Sequence, residues 1–378
     1  MPSAWSGSPI EDSDVRMARD VSFAWGATGT ALLCYELWRE TEEERWRVRA
    51  VRIIRYILNA VATVDLPISL YGGLIGFLWV AAKLGVEVSA TDDLLMQFVQ
   101  RQPETAPFDL IAGLVGLGLY ALERPMPLFH AVLKRLERRA VITGQVAKWL
   151  TTDNGSARAD PRDRRYDLSM SHGIAGVIAL LAMAHSETPA LAHETGTLLR
   201  EGLTFLTSTM RGDRPRFPLY LTAEGDAALG RRPAWCYGDL GVAAALASAA
   251  ASLEDSALAD VALQTALACA RDSQQISKCR DHSLCHGAAG TSHVFRYLHA
   301  RLGHPTLLEA ADTWLAVALA MRYTGRGFAG FGVLESTVDT WQWKIDPGFL
   351  MGASGCALSF LAASSNRHVT WDRLLLLA

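Results

Sequence analysis

Three consecutive glycine-rich stretches of this sequence carry side chains suited to bind a metal or to transfer a proton. They are "SHGIAG" with His172, "WCYGDLG" with Cys236, and "LCHGAAG" with Cys285 and His286. Each of these side chains lies one or two positions before the first glycine of its stretch. Two cysteines and a histidine are a common zinc-binding set, and three protein ligands leave the fourth tetrahedral position open for a reactant. The pattern therefore predicts a catalytic zinc site at Cys236, Cys285 and His286.

A second set of candidate ligands lies in the segment "KCRDHSLCHG". It would combine Cys279 and His282 with Cys285 and His286 into a structural zinc site with four protein ligands. That alternative gives Cys236 no role, and two of its ligands lie outside the repeated glycine stretch. A third interpretation needs no metal, because cysteines often pack as small buried hydrophobes and a histidine can pack or cap locally.

The glycine stretches form an internal repeat. The motif G-x-x-G, followed by small or apolar residues, occurs seven times, with its first glycine at Gly26, Gly73, Gly113, Gly173, Gly238, Gly287 and Gly352. The spacing ranges from 40 residues, between Gly73 and Gly113, to 65 residues, between Gly173 and Gly238. This length accommodates two helices and their connections, so the repeat predicts helical hairpins rather than strands.

Two kinds of helix alternate in the predicted hairpins. The runs after the glycines, such as "GVIALLAMA", are apolar nearly all round, which is typical of a helix buried on every side. The stretch "TEEERWRVRAVRIIRYILNAVA" instead repeats Trp46, Ile53, Ile57 and Val61 at helical spacing, which indicates an amphipathic outer helix. Any fold that superposes the seven turns brings His172 and the candidate ligands together. Periodicity alone leaves open whether the array closes into a ring.

The composition excludes several kinds of partner and location. Half of the residues are hydrophobic, 20% are charged and the net charge is -3, so the chain has neither a basic groove for nucleic acid nor an acidic tail. The N-terminal residues lack the pattern of a secretory signal, which predicts a cytoplasmic protein. The longest uncharged run, Pro347 to Asn366, is interrupted by glycines and serines and predicts a buried helix preceded by a loop.

The cysteines outside the glycine turns have a simpler interpretation. Six cysteines in a chain without a secretory signal argue against a disulfide framework. Cys34, Cys269 and Cys356 lie within apolar helical runs, so we expect them to pack in the core.

Four of the motifs, taken in order, resemble the signature blocks of the lanthionine synthetase C-like family of lanthipeptide cyclases. They are "DLIAGLVGLGLY", "SHGIAG", "RPAWCYGDLG" and "CHGAAG". The resemblance covers essentially the whole chain and all seven turns. It implies an all-α fold, an α/α toroid of seven helical hairpins whose glycine-rich turns line a central cavity. It also implies one domain over residues 1–378, with residues 1–20 as a flexible extension.

The resemblance assigns roles to individual residues. It implies that Cys236, Cys285 and His286 bind zinc. It implicates further active-site residues, which are His172, Asp109, Arg232 and Tyr237. The residues alone keep two alternatives open: Asp109 could cap the helix that begins at its block, and either Arg231 or Arg232 could face the site, the other being solvated.

The implied activity is the addition of cysteine thiols of a precursor peptide to dehydroalanine or dehydrobutyrine, which forms lanthionine or methyllanthionine rings. Zinc coordination deprotonates a thiol that would otherwise be mostly protonated near neutral pH. The expected substrate is a dehydrated precursor of leader plus core, and a separate dehydratase and a membrane exporter are the expected partners, since we expect the cyclase to stand alone.

Two other functions remain open at this point. One is a family member that binds zinc and glutathione without forming rings. The other is a helical-repeat scaffold with structural zinc. Two long polar segments, residues 151–167 and 211–233, are predicted to be surface loops that border the entry side for the peptide or serve no function.

Overall fold

The computed structural model describes residues 20–61, 66–151, 164–336 and 341–377. Fourteen α-helices and seven short β-strands lie within these ranges. The predominance of helices confirms what the repeat spacing predicted, whereas the strands were not predicted. The interpretation of residues 1–20 as a flexible extension falls outside the described residues, apart from Asp20.

Seven helices follow the seven glycine motifs directly. They are α1 (Ala27–Thr41), α3 (Leu74–Lys83), α5 (Leu114–Ala121), α7 (Ile174–Glu187), α9 (Asp239–Leu253), α12 (Ala288–Leu302) and α14 (Ala353–Ser364). Helix α5 is buried along its whole length, and α7 is buried from Ile174 to Ala184. The all-round apolar character of their sequences thus corresponds to burial on every side.

Partly exposed helices alternate with the buried ones. They are α2 (Glu44–Val61), α4 (Asp92–Arg101), α6 (Met126–Arg139), α8 (Ala192–Ser208), α10 (Ser256–Ala270) and α13 (Pro305–Ala320), and the short α11 (Gln274–Lys278) follows α10. In α2, Ile53 and Ile57 are fully buried while Arg52 and Arg55 are exposed, as the helical periodicity predicted. Short 3-10 segments occur at Ser89–Thr91, Pro189–Leu191 and Trp371–Leu375.

The chain divides into two compact units. The first comprises the residues up to Val88 together with Cys279–His293 and Asp312–Val369. Within it, α1 packs against α2, α3 and α14. The backbone N–H of Leu350 in the seventh turn donates to the carbonyl of Ala24 in the first turn at 3.0 Å, and Ala24 N–H donates to Tyr71 O in the second turn at 2.8 Å. The last repeat therefore bonds directly to the first.

The second unit comprises Ser89–Lys278, Val294–Ala311 and the residues from Thr370 onward. Helix α7 packs against α5, α8 and α9, and α9 packs against α10. The same backbone pairing joins its turns, because Leu110 N–H donates to Ser171 O and Met170 N–H donates to Cys236 O, both at 3.1 Å. Backbone hydrogen bonds thus join the third turn to the fourth and the fourth turn to the fifth.

The strands are short and lie between repeats. Strands β1 (Ala140–Thr143) and β2 (Val146–Trp149) form a hairpin, and β6 (Val333–Ser336) pairs with β7 (Trp341–Lys344). A three-stranded antiparallel sheet contains β3 (Arg165–Asp167), β4 (Tyr220–Thr222) and β5 (Ala227–Ala228).

The three-stranded sheet connects the two polar segments that the sequence predicted to be loops. Strand β3 comes from the first segment and strand β4 from the second, with Asp167 opposite Tyr220. The two segments are therefore paired, although residues 152–163 of the first lie outside the described residues.

The run from Pro347 to Asn366 contains α14 and a preceding loop, which confirms that prediction. Taken one at a time, the helices in the described part of the chain are too short or too polar to cross a membrane. One bent pair, Ile174–Glu187 with Pro189–Ser208, passes the same length and composition test jointly.

Candidate metal centre and its neighbouring turns

A hydrogen-bonded frame shapes the turns before the buried helices. In four of them an aspartate, six positions before the first glycine, accepts the backbone N–H two residues later; these are Asp20, Asp167, Asp281 and Asp346. A serine four positions before the glycine adds a second bond in two functional turns. Ser169 Oγ accepts from His172 N–H at 3.1 Å, and Ser283 Oγ accepts from His286 N–H at 3.4 Å. The frame thus fixes both histidines at one place in their turns.

The glycines of this frame are required mainly for space. Gly173 has an extended conformation, with φ of -129°, but an added Cβ would lie 2.4 Å from the carbonyl oxygen of Asp167. Gly238 differs, because its φ of +134° disfavours any other residue. In this fifth turn Arg232 stands where other turns have the aspartate, six positions before the glycine.

The three predicted metal ligands form one group of donor atoms. One ligand atom from each of Cys236, Cys285 and His286 lies within 4.8 Å of the other two. Among the described residues this is the one cluster of three or more His, Cys, Asp or Glu side chains that could hold a metal ion. Two thiolates and an imidazole are a ligand set that zinc prefers, and a fourth tetrahedral position would remain for a reactant. The donor chemistry therefore fits zinc.

The alternative set is not assembled. His282 is buried against Phe331, its Nε2 lies 3.2 Å from Gly332 O, and burial lowers its pKa. Cys279 donates its thiol to the carbonyl of Asp281 at 3.3 Å. Neither side chain belongs to the donor group within the described chain, so a four-ligand structural site at these positions is not formed.

Local packing holds Cys236 in its turn. The preceding residue, Trp235, is fully buried, and its Nε1–H donates to Leu375 O at 2.8 Å. The carbonyl of Cys236 accepts from Met170 N–H and from both the N–H and the hydroxyl of Ser171. These bonds tie the turn of Cys236 to the turn that carries His172.

His172 contacts a carboxylate across the next interface between turns. Its Nδ1 lies 2.6 Å from Oδ2 of Asp109, while Oδ1 of Asp109 accepts from Ala112 N–H at 2.8 Å. Gly113 is the N-cap residue of α5, and no side chain caps this helix by a hydrogen bond. Asp109 therefore braces its own turn with one oxygen and holds His172 with the other, instead of capping the helix.

The electrostatic surroundings of His172 favour its protonated form. Burial lowers the pKa of His172, but the hydrogen bond and charge of Asp109, together with Asp167 and Cys236, outweigh burial and raise the pKa above its usual value. The side chain keeps 32% of its surface exposed. A half-exposed imidazole with a raised pKa is suited to deliver a proton near neutral pH.

Tyr237 completes this group of side chains. Its ring stacks on His172 with centroids 5.9 Å apart and an interplanar angle of 30°. Its hydroxyl donates to Oδ2 of the fully buried Asp167 at 3.0 Å. Burial and the negative charge of Asp167 raise the pKa of Tyr237, so it stays protonated near neutral pH.

The two arginines before the fifth turn differ in their contacts. Arg231 Nη2 lies 3.4 Å from Asp272 Oδ2, and its carbonyl accepts from Arg214. Arg232 is exposed, and among the described residues its side chain takes part in none of the ion pairs. The structure therefore gives Arg231 a partner within the protein, whereas Arg232 is an exposed residue.

The sequence interpretation missed Asp167 and Asp281, which contact two of the functional side chains. Their signal is the pattern D-x-S in "DLSMSHG" and "DHSLCHG", which also occurs in "DVSFAWG" of the first turn. The remaining cysteines agree with their prediction. Cys34, Cys269 and Cys356 are buried, and burial raises the pKa of Cys34 and Cys269 to about 12.

Comparison with known proteins identifies the architecture. The chain is similar to nisin cyclase, with a TM-score of 0.75 and 18% identity over 97% of this chain and 95% of that one. This likeness confirms the predicted all-α fold, an α/α toroid. A weaker similarity is to the Lin0763 protein from Listeria innocua, with a TM-score of 0.44 and 11% identity over 91% of this chain and 86% of that one.

Comparison of the sequence with protein-family models identifies the family. No curated protein matches the chain. The family model described as lanthionine synthetase C-like protein matches residues 18–376. Because that match spans nearly the whole sequence, the protein belongs to the lanthionine synthetase C-like family.

Proposed function

We propose that this protein closes thioether rings in a dehydrated precursor peptide. The observation that carries the proposal is a three-donor metal set, Cys236, Cys285 and His286, beside an acid–base pair, Asp109 and His172. The turn of His172 is bonded to the turn of Cys236 on one side and to that of Asp109 on the other. Membership of the lanthionine synthetase C-like family supports the same reaction.

The reaction forms one bond and needs one proton. A cysteine sulfur of the peptide bonds to the β-carbon of dehydroalanine or dehydrobutyrine, and the electrons of the double bond move toward the carbonyl as an enolate. The α-carbon then takes up a proton, and the thiol has lost one, so atoms and charges balance. The protein must therefore lower the pKa of a thiol, hold the enolate and supply a proton.

Cys236, Cys285 and His286 would hold zinc. When bound there, zinc supplies the positive charge that lowers the pKa of a substrate thiol at its open coordination position. The three side chains come from two turns, and hydrogen bonds hold both of these turns in place.

His172 is the proposed proton donor to the α-carbon. Asp109 keeps the imidazole protonated and fixes its orientation, because the carboxylate accepts at Nδ1 and leaves Nε2 as the atom that transfers the proton. Proton transfer from a positioned acid of this kind contributes typically about 10²- to 10⁴-fold in rate.

Tyr237 and Arg232 are the proposed neighbours of the reacting carbonyl. Tyr237 limits the movement of the His172 ring through its stacking contact. Arg232 is an exposed residue of the fifth turn, and its positive charge would stabilise a peptide carbonyl or enolate that approaches this turn. A cytoplasmic location, a leader-bearing precursor, a dehydratase and an exporter belong to the same proposal.

The experiment that tests the function is incubation of the zinc-loaded protein with a dehydrated precursor, followed by alkylation of free thiols and mass spectrometry. Ring closure leaves the peptide mass unchanged, so the number of alkyl groups added reports the number of rings. We expect fewer alkylated thiols with protein than without it. Equal alkylation in both samples, together with stoichiometric zinc, would instead support a zinc- and thiol-binding protein without cyclase activity.

A further inference from the structure

We propose that Asp281 is a positioning residue for the candidate metal centre, acting through His286. Its Oδ2 lies 3.6 Å from Nε2 of His286, within ion-pair distance. The negative charge of the carboxylate would favour a proton on Nε2 and so leave Nδ1 for the metal. This inference rests on the proposed metal site but not on the ring-closing reaction.

The two oxygens of Asp281 have different contacts. Oδ1 accepts from the backbone N–H of Ser283 at 3.0 Å and from its hydroxyl at 2.5 Å, which braces the turn. Oδ2 faces His286 instead. A single side chain thus both shapes the turn and contacts the functional residue that the turn carries.

Two other aspartates of the protein also use one carboxylate oxygen for the turn backbone and the other for a side chain. Asp109 uses Oδ1 for Ala112 N–H and Oδ2 for His172. Asp167 uses Oδ1 for Ser169 N–H and Oδ2 for the hydroxyl of Tyr237. Three carboxylates therefore each direct their second oxygen at a functional side chain.

In the first and seventh turns an aspartate braces the turn in the same way, but no histidine stands at the position of His286. Asp20 and Asp346 accept the corresponding N–H groups of Ser22 and Gly348. The residues just before the first glycine in these turns are Trp25 and Met351, which lie at the position of His286.

Neither Trp25 nor Met351 has an imidazole for a carboxylate to orient. The bracing hydrogen bond thus occurs in turns with and without a candidate metal ligand. Of the first, sixth and seventh turns, the sixth is the one in which the aspartate contacts an imidazole.

A carboxylate at this place has a physical effect on a metal ligand. Metal-binding imidazole must be neutral at the coordinating nitrogen, and a carboxylate that accepts the proton of the other nitrogen fixes the tautomer and raises ligand basicity. The side chains of His286 and Asp281 are only 27% and 21% exposed, so bulk water replaces this contact incompletely. Loss of such partners typically weakens metal binding about 10- to 100-fold.

The test compares zinc affinity in wild-type protein, Asp281→Asn and the matched control Asp346→Asn, by competition with a chromogenic chelator. Asparagine keeps a side-chain oxygen that accepts the turn N–H but lacks the charge that attracts a histidine proton. We expect Asp281→Asn to bind zinc about 10- to 100-fold more weakly and Asp346→Asn to stay within about twofold of wild type. Thermal unfolding of both variants reports any shared loss of turn stability.

Two outcomes would overturn the inference: unchanged affinity in Asp281→Asn, or an equal loss in Asp346→Asn, which would mark a general effect of weakened turns. Should Asp281→Asn not fold, Asp281→Ser retains a short acceptor for the turn and permits the same comparison. Wild-type protein without affinity for zinc would contradict the proposed metal site itself, which distinguishes the two failures.

Discussion

Nδ1 of His172 lies 2.6 Å from Oδ2 of Asp109, although 63 positions separate the two residues in the chain. The contact joins two consecutive glycine turns, whose backbones are also bonded from Leu110 N–H to Ser171 O. Register between the turns is therefore fixed by the backbone, and the carboxylate meets the imidazole without a flexible loop. Contacts within the protein thus preorganise the pair.

Asp109→Asn should lower the pKa of His172, because the variant removes the carboxylate that favours the imidazolium. A raised pKa in the folded state stabilises the protein at low pH, fully below the unfolded value of about 6.5, and this contribution is lost as pH rises through the folded pKa. The wild-type advantage in the free energy of unfolding, measured with urea, should therefore be larger at pH 6 than at pH 9.

The same variant should change the pH profile of ring closure. If His172 acts as an acid, the rate falls as pH rises through its pKa, and Asp109→Asn moves that limb of the profile to lower pH. Two results together would refute the role of this pair: a wild-type stability advantage that is the same at pH 6 and pH 9, and a pH profile of the rate that Asp109→Asn leaves unchanged.

Cys285→Ala should abolish stoichiometric zinc binding and ring formation, because it removes one of three donor atoms. The matched control is Cys356→Ala, since Cys356 is a buried cysteine in the following repeat and is not part of the donor group. Metal content after gel filtration measures both variants. Retention of one zinc per chain in Cys285→Ala would remove this residue from the site.

His172→Ala should separate metal binding from proton transfer. Its imidazole is not one of the donor atoms of the metal set, so zinc content should remain at the wild-type level. Ring formation should slow by about 10²- to 10⁴-fold, or the rings should lose stereochemical control at the α-carbon. Wild-type kinetics and stereochemistry in this variant would exclude His172 as the acid.

The sequence was sufficient to predict the repeat and the grouping of the three candidate metal donors for one physical reason. Residues one or two positions before the first glycine occupy corresponding places in their repeats, so that Cys236 and Cys285, 49 residues apart, contribute to one group of donor atoms. Alternation of apolar and amphipathic runs similarly predicted buried and outer helices.

Other features needed the structure. The sequence did not predict the pairing of β3 with β4, because the partners are short and lie far apart in polar segments. Closure of the first repeat on the last depends on the bond between Leu350 and Ala24, and periodicity contains no information about closure. The second contacts of Asp167 and Asp281 also remained hidden. In sequence, an aspartate that braces a turn looks the same whatever its other oxygen contacts.

Tyr237→Phe should destabilise the protein by about 1–3 kcal/mol, because Asp167 is fully buried and loses its phenolic donor. A double-mutant cycle with Asp167→Asn isolates the contact, measured as free energies of unfolding in urea. We expect the two losses to be non-additive by about 1 kcal/mol or more. Additive losses would mean that the hydroxyl and the carboxylate contribute independently, and that Tyr237 is held by its ring alone.

Arg232→Ala and Arg231→Ala form a matched pair that decides which arginine serves the reaction. Arg231 already pairs with Asp272 and its side chain is 56% exposed, so its loss should cost less than about 1 kcal/mol of stability and leave ring closure nearly unchanged. Arg232 is exposed beside the turn of Cys236, and its loss should slow ring closure about 10- to 100-fold with zinc content intact. Thiol counting on the same dehydrated peptide measures both rates. A slower reaction in Arg231→Ala and a wild-type rate in Arg232→Ala would reverse the assignment, because the ion pair with Asp272 would then have to open during turnover.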